Sequence, residues 1–308
     1  MLDRRIKFRH LQCFLEVARH KSVMRAADAL SVSQPAVSKT IRELEGILDT
    51  QLFDRSRREL APTRMGEVFL RYASVSVTAL AQGVESISEA GSGDLPAVRV
   101  GVLPTVAARI MPAAVRAYRS EGPDTAISLA TGSNVALLGQ LRVGELDLVV
   151  GRLAPPGQMG GLSFTHLYSE PVSFAVRPGH PLLTRTGFAV REIAAYPVLY
   201  PIEGSIIRPT VNHFLLAHGL SALPGRIDTV SNAFGRTYTR QSDAVWIISH
   251  GVIAQDVEEG VLCELPIDTG DTQGPVGFTT RADTEITPHL RRLMSAIHEA
   301  ARETVGLL

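Results

Sequence analysis

Ser22-Val23-Met24-Arg25-Ala26-Ala27-Asp28-Ala29-Leu30 and Ser33-Gln34-Pro35-Ala36-Val37-Ser38-Lys39-Thr40-Ile41-Arg42-Glu43-Leu44 are two helix-length segments joined by Ser31-Val32. Ser22 is placed to cap the first, and Val23, Ala26, Ala27 and Leu30 fall on one side of it. The small Ala26-Ala27 pair allows another helix to come close. Ser33 is placed to cap the second, with Pro35 in its first turn, where a missing N–H costs nothing. Val37, Ile41, Leu44 and Leu48 form its inner stripe. Gln34, Ser38, Lys39 and Arg42 therefore face outward, with Gln34, Pro35 and Ser38 leading.

Outward from this pair, Leu11, Phe14, Leu15 and Ala18 recur at helical spacing and predict a preceding helix over Arg9 to His20. Three helices with a polar, basic outer face suit a DNA groove. Amides and guanidiniums pair with base edges, while Ser, Lys and backbone N–H groups hold phosphates. An ordinary solvated face would show the same pattern. The next stretch favours DNA: Leu52-Phe53-Asp54-Arg55 leads into Ser56-Arg57-Arg58-Glu59-Leu60 and Pro62-Thr63, a short basic hairpin that reads as a wing against the phosphate backbone. Charge agrees. The chain has 31 Lys+Arg and 31 Asp+Glu, but residues 1–64 hold 13 basic against 8 acidic, leaving 18 against 23 in the rest. Only the first part is built to meet a polyanion.

These residues resemble the LysR-type transcriptional regulators, through Leu11-x-x-Phe14, Ser22-Val23-x-x-Ala26-Ala27-x-x-Leu30, Ser33-Gln34-Pro35-Ala36-Val37-Ser38, Ile41-x-x-Leu44-Glu45, Leu52-Phe53-x-Arg55 and Thr63-x-x-Gly66. The resemblance implies a winged helix-turn-helix over 1–63 that binds double-stranded promoter DNA through Ser33, Gln34, Pro35, Ser38, Lys39, Arg42, Arg55 and Thr63. It also implies Arg58 in a wing near the minor groove. Asp49 departs from the family's usual glycine after the recognition helix. Asp tolerates the left-handed conformation better than most residues, so the turn is expected to survive.

Thr63 is placed to cap a long helix from Arg64 to about Glu89, carrying Met65, Phe69, Tyr72, Leu80, Val84 and Ile87. One helix cannot bury its own stripe, so a partner is expected, either the chain's own body or another helix. The family resemblance implies the latter: a linker over 64–97 in which Phe69, Tyr72, Leu80 and Val84 pair two subunits, giving a homodimer or a homotetramer. Gly91-Ser92-Gly93-Asp94-Leu95-Pro96 reads as the hinge that follows.

From Val98 the chain alternates strands and helices in the rhythm of an α/β domain. Strands are predicted at 98–102, 126–130, 146–150, 172–176, 198–200, 227–230, 244–248 and 276–280. Helices are predicted at 107–118, 135–143, 207–217, 252–259 and 288–304. The resemblance implies the two-lobed α/β fold of periplasmic binding proteins (type 2) over 98–308. Lobe I would hold about 98–168 and 270–308, and lobe II about 169–269. Ligands of such folds sit between lobes at the carboxyl ends of strands. Leu103, Thr105, Ser133, Asn134, Arg152, Ser205 and Arg208 occupy loops at those ends. They offer hydroxyls, helix N-termini and two guanidiniums, a chemistry suited to an anionic carboxylate as small-molecule effector.

The runs Arg99 to Thr105, Leu141 to Leu153 and His166 to Glu170 look most like the branch of the family that controls the protocatechuate (pca) operon and answers to acids of the β-ketoadipate pathway. A branch answering to galactose-like sugars shares this framework, so that alternative stays open. RNA polymerase is a further partner of such regulators.

Other classes are poorly supported. No Gly-x-Ser-x-Gly, His-Glu-x-x-His, phosphate-binding loop or dinucleotide fingerprint marks an enzyme or a cofactor site. His166, His180, His213 and His250 lack metal-ligand spacing. Cys13 and Cys263 are expected to be buried small apolar residues rather than a disulfide or zinc pair. No apolar run approaches the roughly 18 residues of a membrane span, and no secretory signal opens the sequence, which predicts a cytoplasmic protein without membrane contact.

Overall fold

The apolar stripes of the first helices close on one another around Phe14. The structure, a computed structural model, describes residues 3–54, 60–92, 97–122, 125–185, 187–282 and 284–306, apart from the side chains of 71, 78, 79, 81, 82 and 85–92. The chain divides near residue 94 into two compact units, taken in turn.

In the first unit α1 (Phe8–His20), α2 (Val23–Ala29) and α3 (Gln34–Leu48) precede a hairpin of β1 (Phe53–Asp54) and β2 (Ala61–Pro62), then α4 (Arg64–Ser92). Phe14, Val17, Ala26, Ala27, Val37, Ile41 and Leu44 are buried together with Leu52 and Phe53. The Phe14 ring lies 5.1 Å from Phe53 and 5.1 Å, edge-on, from Phe69. Asp49 does take the left-handed conformation, φ 48° and ψ 41°, and its N–H closes α3 on Glu45 O. The long helix runs to Ser92 rather than Glu89, so Gly91 and Ser92 of the expected hinge are helical; residues 93–96 lie outside the described residues.

The second unit contains two five-stranded mixed sheets. Its elements are β3 (Ala97–Val102), α5 (Pro104–Arg109), α6 (Met111–Ser120), β4 (Ala126–Thr131), α7 (Asn134–Arg142), β5 (Leu148–Arg152), β6 (Leu162–Glu170), β7 (Val172–Val176), β8 (Val198–Pro201), α8 (Arg208–Ala217), β9 (Arg226–Thr229), α9 (Asn232–Gln241), β10 (Val245–Ser249), α10 (His250–Glu258), β11 (Cys263–Glu264), β12 (Gly274–Arg281) and α11 (Pro288–Val305). The first sheet has the order β4-β3-β5-β12-β6 and the second β11-β7-β10-β8-β9. β3, β4 and β5 are parallel, as are β8, β9 and β10, while β12 and β7 run against their neighbours. The last strand and helix thus return to the first sheet, as the resemblance implied.

Alternation explains the layers. Val98, Val100 and Val102 pack towards α6 and α11, and between them Gly101 leaves room for Leu137 and Leu146 on the α7 face. In the second sheet Val198 and Tyr200 face α8, while Leu199 faces the Trp246 cluster. Sheets with helices on both faces read as continuous apolar runs, which is why most strands were legible.

Four departures have local causes. The helix expected over 107–118 is two helices, because Pro112 opens α6 and cannot continue α5. β5 starts at Leu148 rather than Leu146, since Asp147 makes the entry, accepting the Arg99 N–H at 2.8 Å. Strands β6 and β11 and helix α9 were not anticipated. α9 contains Gly235 and two threonines, poor helix formers that are held by the Ser231 cap and by the close fit of Gly235 on Trp246. Cys13 is buried, but Cys263, on an edge strand, is only half-buried. Among the described residues no helix is long and apolar enough to cross a membrane.

Candidate DNA face and effector cleft

α3 presents its N-terminal end to solvent: Ser33, Gln34, Pro35, Lys39 and Arg42 are exposed and Ser38 is half-buried. Ser33 occupies the N-cap, but its hydroxyl makes no cap bond; its carbonyl accepts from Ala36 and Val37 instead. Two groups fix the pose of this helix. Glu45 Oε1 accepts the N–H of Leu52 at 2.9 Å and of Phe53 at 3.3 Å, tying α3 to the hairpin. Glu43 meets the buried His10 Nε2 at 3.4 Å, and that hydrogen bond, chiefly, holds its carboxyl below the usual value. Because His10 Nδ1 accepts the Lys7 N–H, the proton of the neutral ring lies on Nε2, facing Glu43. This tie through Glu45 has no signal in residue spacing alone, because it joins positions seven and eight residues apart across a turn.

The Thr63 hydroxyl donates to Gln51 O at 2.7 Å and accepts the Gly66 N–H at 3.0 Å, so it caps α4 as expected. Arg55 and Arg58 lie outside the described residues. Along α4 the expected pairing stripe needs one correction. Phe69 is half-buried against Phe14 and completes the core of the first unit, because the first turns of α4 pack on α1. Tyr72, Leu80 and Val84 are 68%, 53% and 63% exposed, and Met65, Val68 and Val75 are exposed as well. An apolar stripe of this length on one helix is large for a surface facing water.

In the second unit, the loops at the strand ends behave differently from one another. Ser133, exposed, caps α7 by accepting the Ala136 N–H at 3.3 Å. Asn134 is buried, and its Nδ2 has no hydrogen-bond partner among the described residues, an unusual state for a buried amide. Ser205 is half-buried and its carbonyl accepts the Arg208 N–H. Arg208, at the start of α8, donates to Pro201 O at 2.8 Å and Asp228 Oδ2 at 3.2 Å and lies over the Tyr200 ring. Arg226 reaches the same Asp228 at 2.8 Å, so two guanidiniums share one carboxylate and a net positive charge remains.

Leu103 and Arg152 depart from the expectation that they face a ligand. The Leu103 side chain is buried with Leu137 and Leu138, against a Gly151 with no room for a Cβ. The Arg152 side chain is 5% exposed. Nη2 donates to Glu170 O at 2.7 Å and Nη1 to Thr272 O at 3.4 Å, and burial, the largest influence, lowers the pKa of the guanidinium. Its fork serves the two chain crossovers between the sheets. Thr105, also buried, donates its hydroxyl to Glu170. The structure therefore gathers Thr105 and Arg152 around Glu170, which sequence reasoning had left as framework.

A concavity of about 310 Å³ is lined by Pro171, Ser173, Phe174, His250, Glu264 and Leu265, among others. His250 Nδ1 lies 3.0 Å from Glu264 Oε1 and 3.3 Å from Ser173 Oγ, and the His250 hydrogen bond chiefly holds the Glu264 carboxyl below its usual range. A nucleophile relay needs the serine and the acid on opposite ring nitrogens; here both use Nδ1. The constellation does not have hydrolase geometry.

Comparison with known proteins agrees with both halves. The family described as bacterial regulatory helix-turn-helix protein, lysR family, matches residues 8–67, and the LysR substrate binding domain matches 92–302. The HTH-type transcriptional regulator PcaQ of Agrobacterium fabrum is 56% identical over 303 residues, 98% of this chain and 97% of that one. The HTH-type transcriptional regulator YdcI of Escherichia coli is 32% identical over 97% of each chain. Among solved structures, full-length CbnR complexed with its target DNA superposes with a TM-score of 0.56 at 21% identity, covering 96% of this chain and all of that one. That likeness concerns the fold. The chain belongs to the LysR family of bacterial transcriptional regulators.

Proposed function

We infer that the protein is a ligand-responsive regulator of aromatic-acid catabolic genes, acting in the cytoplasm on a promoter of the protocatechuate/β-ketoadipate pathway. The observation that carries it is the 56% identity with PcaQ over nearly the whole of both chains. Residues 1–63 act as the DNA-binding domain. Gln34, Pro35, Ser38, Lys39 and Arg42 enter the major groove, and Ser33, Thr63, Arg55 and Arg58 serve the backbone and wing. Residues 64–97 form the pairing linker, through Tyr72, Leu80 and Val84, in a homodimer or a tetramer of two dimers. Residues 98–308 sense the effector, and RNA polymerase is the partner through which the promoter responds.

The effector is a small carboxylate seated between the lobes, against Thr105, Ser133, Asn134, Ser205 and Arg208. The capped start of α7, the Asn134 Nδ2 that has no partner among the described residues and the surplus positive charge around Asp228 support an anion there. Leu103, whose N–H is held by Val150 O and whose carbonyl accepts from Val106 and Ala107, and the buried Arg152 take part only indirectly. Footprinting of full-length protein on its own upstream region, with and without acids of the pathway, tests this reading. An effector-dependent change with such an acid supports it, whereas a response confined to galactose-type sugars would transfer the protein to the sugar branch.

A further inference from the structure

We propose that Glu170 is a positioning residue that clasps the two lobes, and that an anionic effector acts by competing with it for the Thr105 hydroxyl. Glu170 ends β6, where the chain leaves the first sheet for the second, and it is 2% exposed. Its Oε1 and Oε2 lie 2.6 and 2.8 Å from Thr105 Oγ1, on α5 of the first lobe. Its Oε2 also accepts the Gly251 N–H at 3.1 Å, on α10 of the second lobe. One buried carboxylate thus joins helices from both lobes at the crossover itself.

Two glycines and an arginine show how closely this clasp is fitted. A Cβ at Gly251 would overlap Thr105 Oγ1 and crowd Glu170 Oε2, so the two helices approach there only because the position is glycine. A Cβ at Gly274 would overlap Arg152 Nη1, the guanidinium that bridges Glu170 O on one crossover and Thr272 O on the other. Thr272 Oγ1 accepts the Val172 N–H at 2.8 Å, joining the two crossovers a second time. A buried carboxylate is costly unless its oxygens are hydrogen-bonded, so the contacts form and break together.

The chemistry of a hydroxyl supplies the switch. A threonine carries one donor hydrogen, and in this structure it is directed at Glu170. A ligand carboxylate that takes it must release Glu170 from α5, loosening the bond between the lobes. Ligand binding and lobe geometry are thereby linked through a single proton position, with reciprocal effects on affinity. This last step rests on the anionic effector proposed above; the clasp itself does not.

Hydrogen exchange by mass spectrometry on the full-length protein, with Glu170→Gln and Gly251→Ala variants, tests the clasp without any ligand. The segments 103–107 and 250–253 are expected to exchange together, at least about tenfold faster in either variant, as loss of a charge-assisted hydrogen bond implies, while α11 keeps its protection. Glu170→Gln is further expected to bind the pathway acid about tenfold more tightly, because less competition remains. Wild-type exchange in both segments of folded variants overturns the clasp, and unchanged or weaker acid binding in Glu170→Gln overturns the competition. If Glu170→Gln unfolds throughout, Glu170→Asp, one methylene shorter, carries the same measurements. If wild-type protein binds no acid, the effector assignment and the competition fall, and exchange still decides the clasp.

Discussion

Gly66, in the first turn of α4, lies so close to the carbonyl of Leu52 that a Cβ on Gly66 would overlap the oxygen. The same Leu52 carbonyl accepts the Thr63 N–H at 2.9 Å, and the Leu52 N–H is held by Glu45. The linker helix, the hairpin and the recognition helix are therefore fixed to one another within the first unit. Gly66→Ala must displace backbone rather than a flexible side chain, and is expected to cost about 1–3 kcal/mol, as overpacking does. Thermal melts read by circular dichroism check this; a melting temperature equal to wild type would contradict the close approach.

The proposed DNA face is expected to separate into side chains that read bases and side chains that hold phosphates. Gln34→Ala, at the exposed leading end of α3, is expected to relax base preference, while Arg58→Ala weakens binding evenly and lowers the salt slope by about one. Fluorescence anisotropy across a salt series, on operator and scrambled duplexes, distinguishes the two. Unchanged operator affinity in both folded variants would remove the assignment.

Tyr72, Leu80 and Val84 leave an apolar stripe on α4 that the first unit does not cover. Replacing Tyr72 and Val84 together with Lys places charge in any helix pairing, and is expected to convert the dimer or tetramer to smaller species by light scattering. A wild-type monomer at micromolar concentration would defeat the pairing.

His180 is expected to make the second unit sensitive to mild acid. Its Nδ1 accepts the Leu182 N–H at 3.1 Å and its Nε2 donates to Asp243 O at 3.2 Å, so the neutral tautomer is used on both sides. Burial, the largest influence, pulls its pKa below the ordinary 6.5. Between those two values the unfolded chain binds the proton and the folded one does not, so stability falls as the pH drops from 6.5 towards the folded value. The Glu264 carboxyl, held low, adds a loss at more acid pH, as it protonates below its ordinary 4.5. His180→Asn, which keeps an acceptor for the Leu182 N–H, is expected to flatten the fall below the ordinary 6.5 in thermal melts. An equally steep fall in the variant would assign it to another group.

The fold was legible because it is written in local patterns. Ala26-Ala27, the stripe of α3 and the apolar runs of the inner strands each declare their partner faces, and Asp49 behaved as its side chain allows. The outward side of α3 was legible for the same reason, since it follows once the inner stripe of the helix is known. The effector cleft was less so. Arg152 and Arg208 look alike in sequence, at a strand end and a helix start, yet one is buried at the crossovers and the other stands over Tyr200 beside Asp228. That difference depends on Glu170, Thr272 and Asp228, residues far apart in the chain. Phe69 illustrates the same limit: its spacing fits the pairing stripe, and only the position of Phe14 decides that it packs inward.

Arg208 carries the last prediction. Its guanidinium is already held by Pro201 O, Asp228 and the Tyr200 ring, so its fork is oriented before a ligand arrives, and Arg226 leaves the group with one uncompensated positive charge. A carboxylate ligand meeting this arrangement gains a charge-assisted bond of about 1.5–3 kcal/mol, so Arg208→Ala is expected to weaken acid binding by roughly tenfold to a hundredfold. Operator binding without ligand should stay near wild type, since the variant leaves the DNA-binding unit untouched. Arg208→Lys keeps the charge but loses the fork and should fall between. Asp228→Asn should act in the opposite direction, strengthening acid binding by removing the competing internal carboxylate. Calorimetry with protocatechuate-pathway acids and with galactose checks all three variants. Tight binding of the neutral sugar, indifferent to Arg208 and Asp228, would overturn the anionic effector, because no uncharged ligand gains from the surplus charge that these residues set.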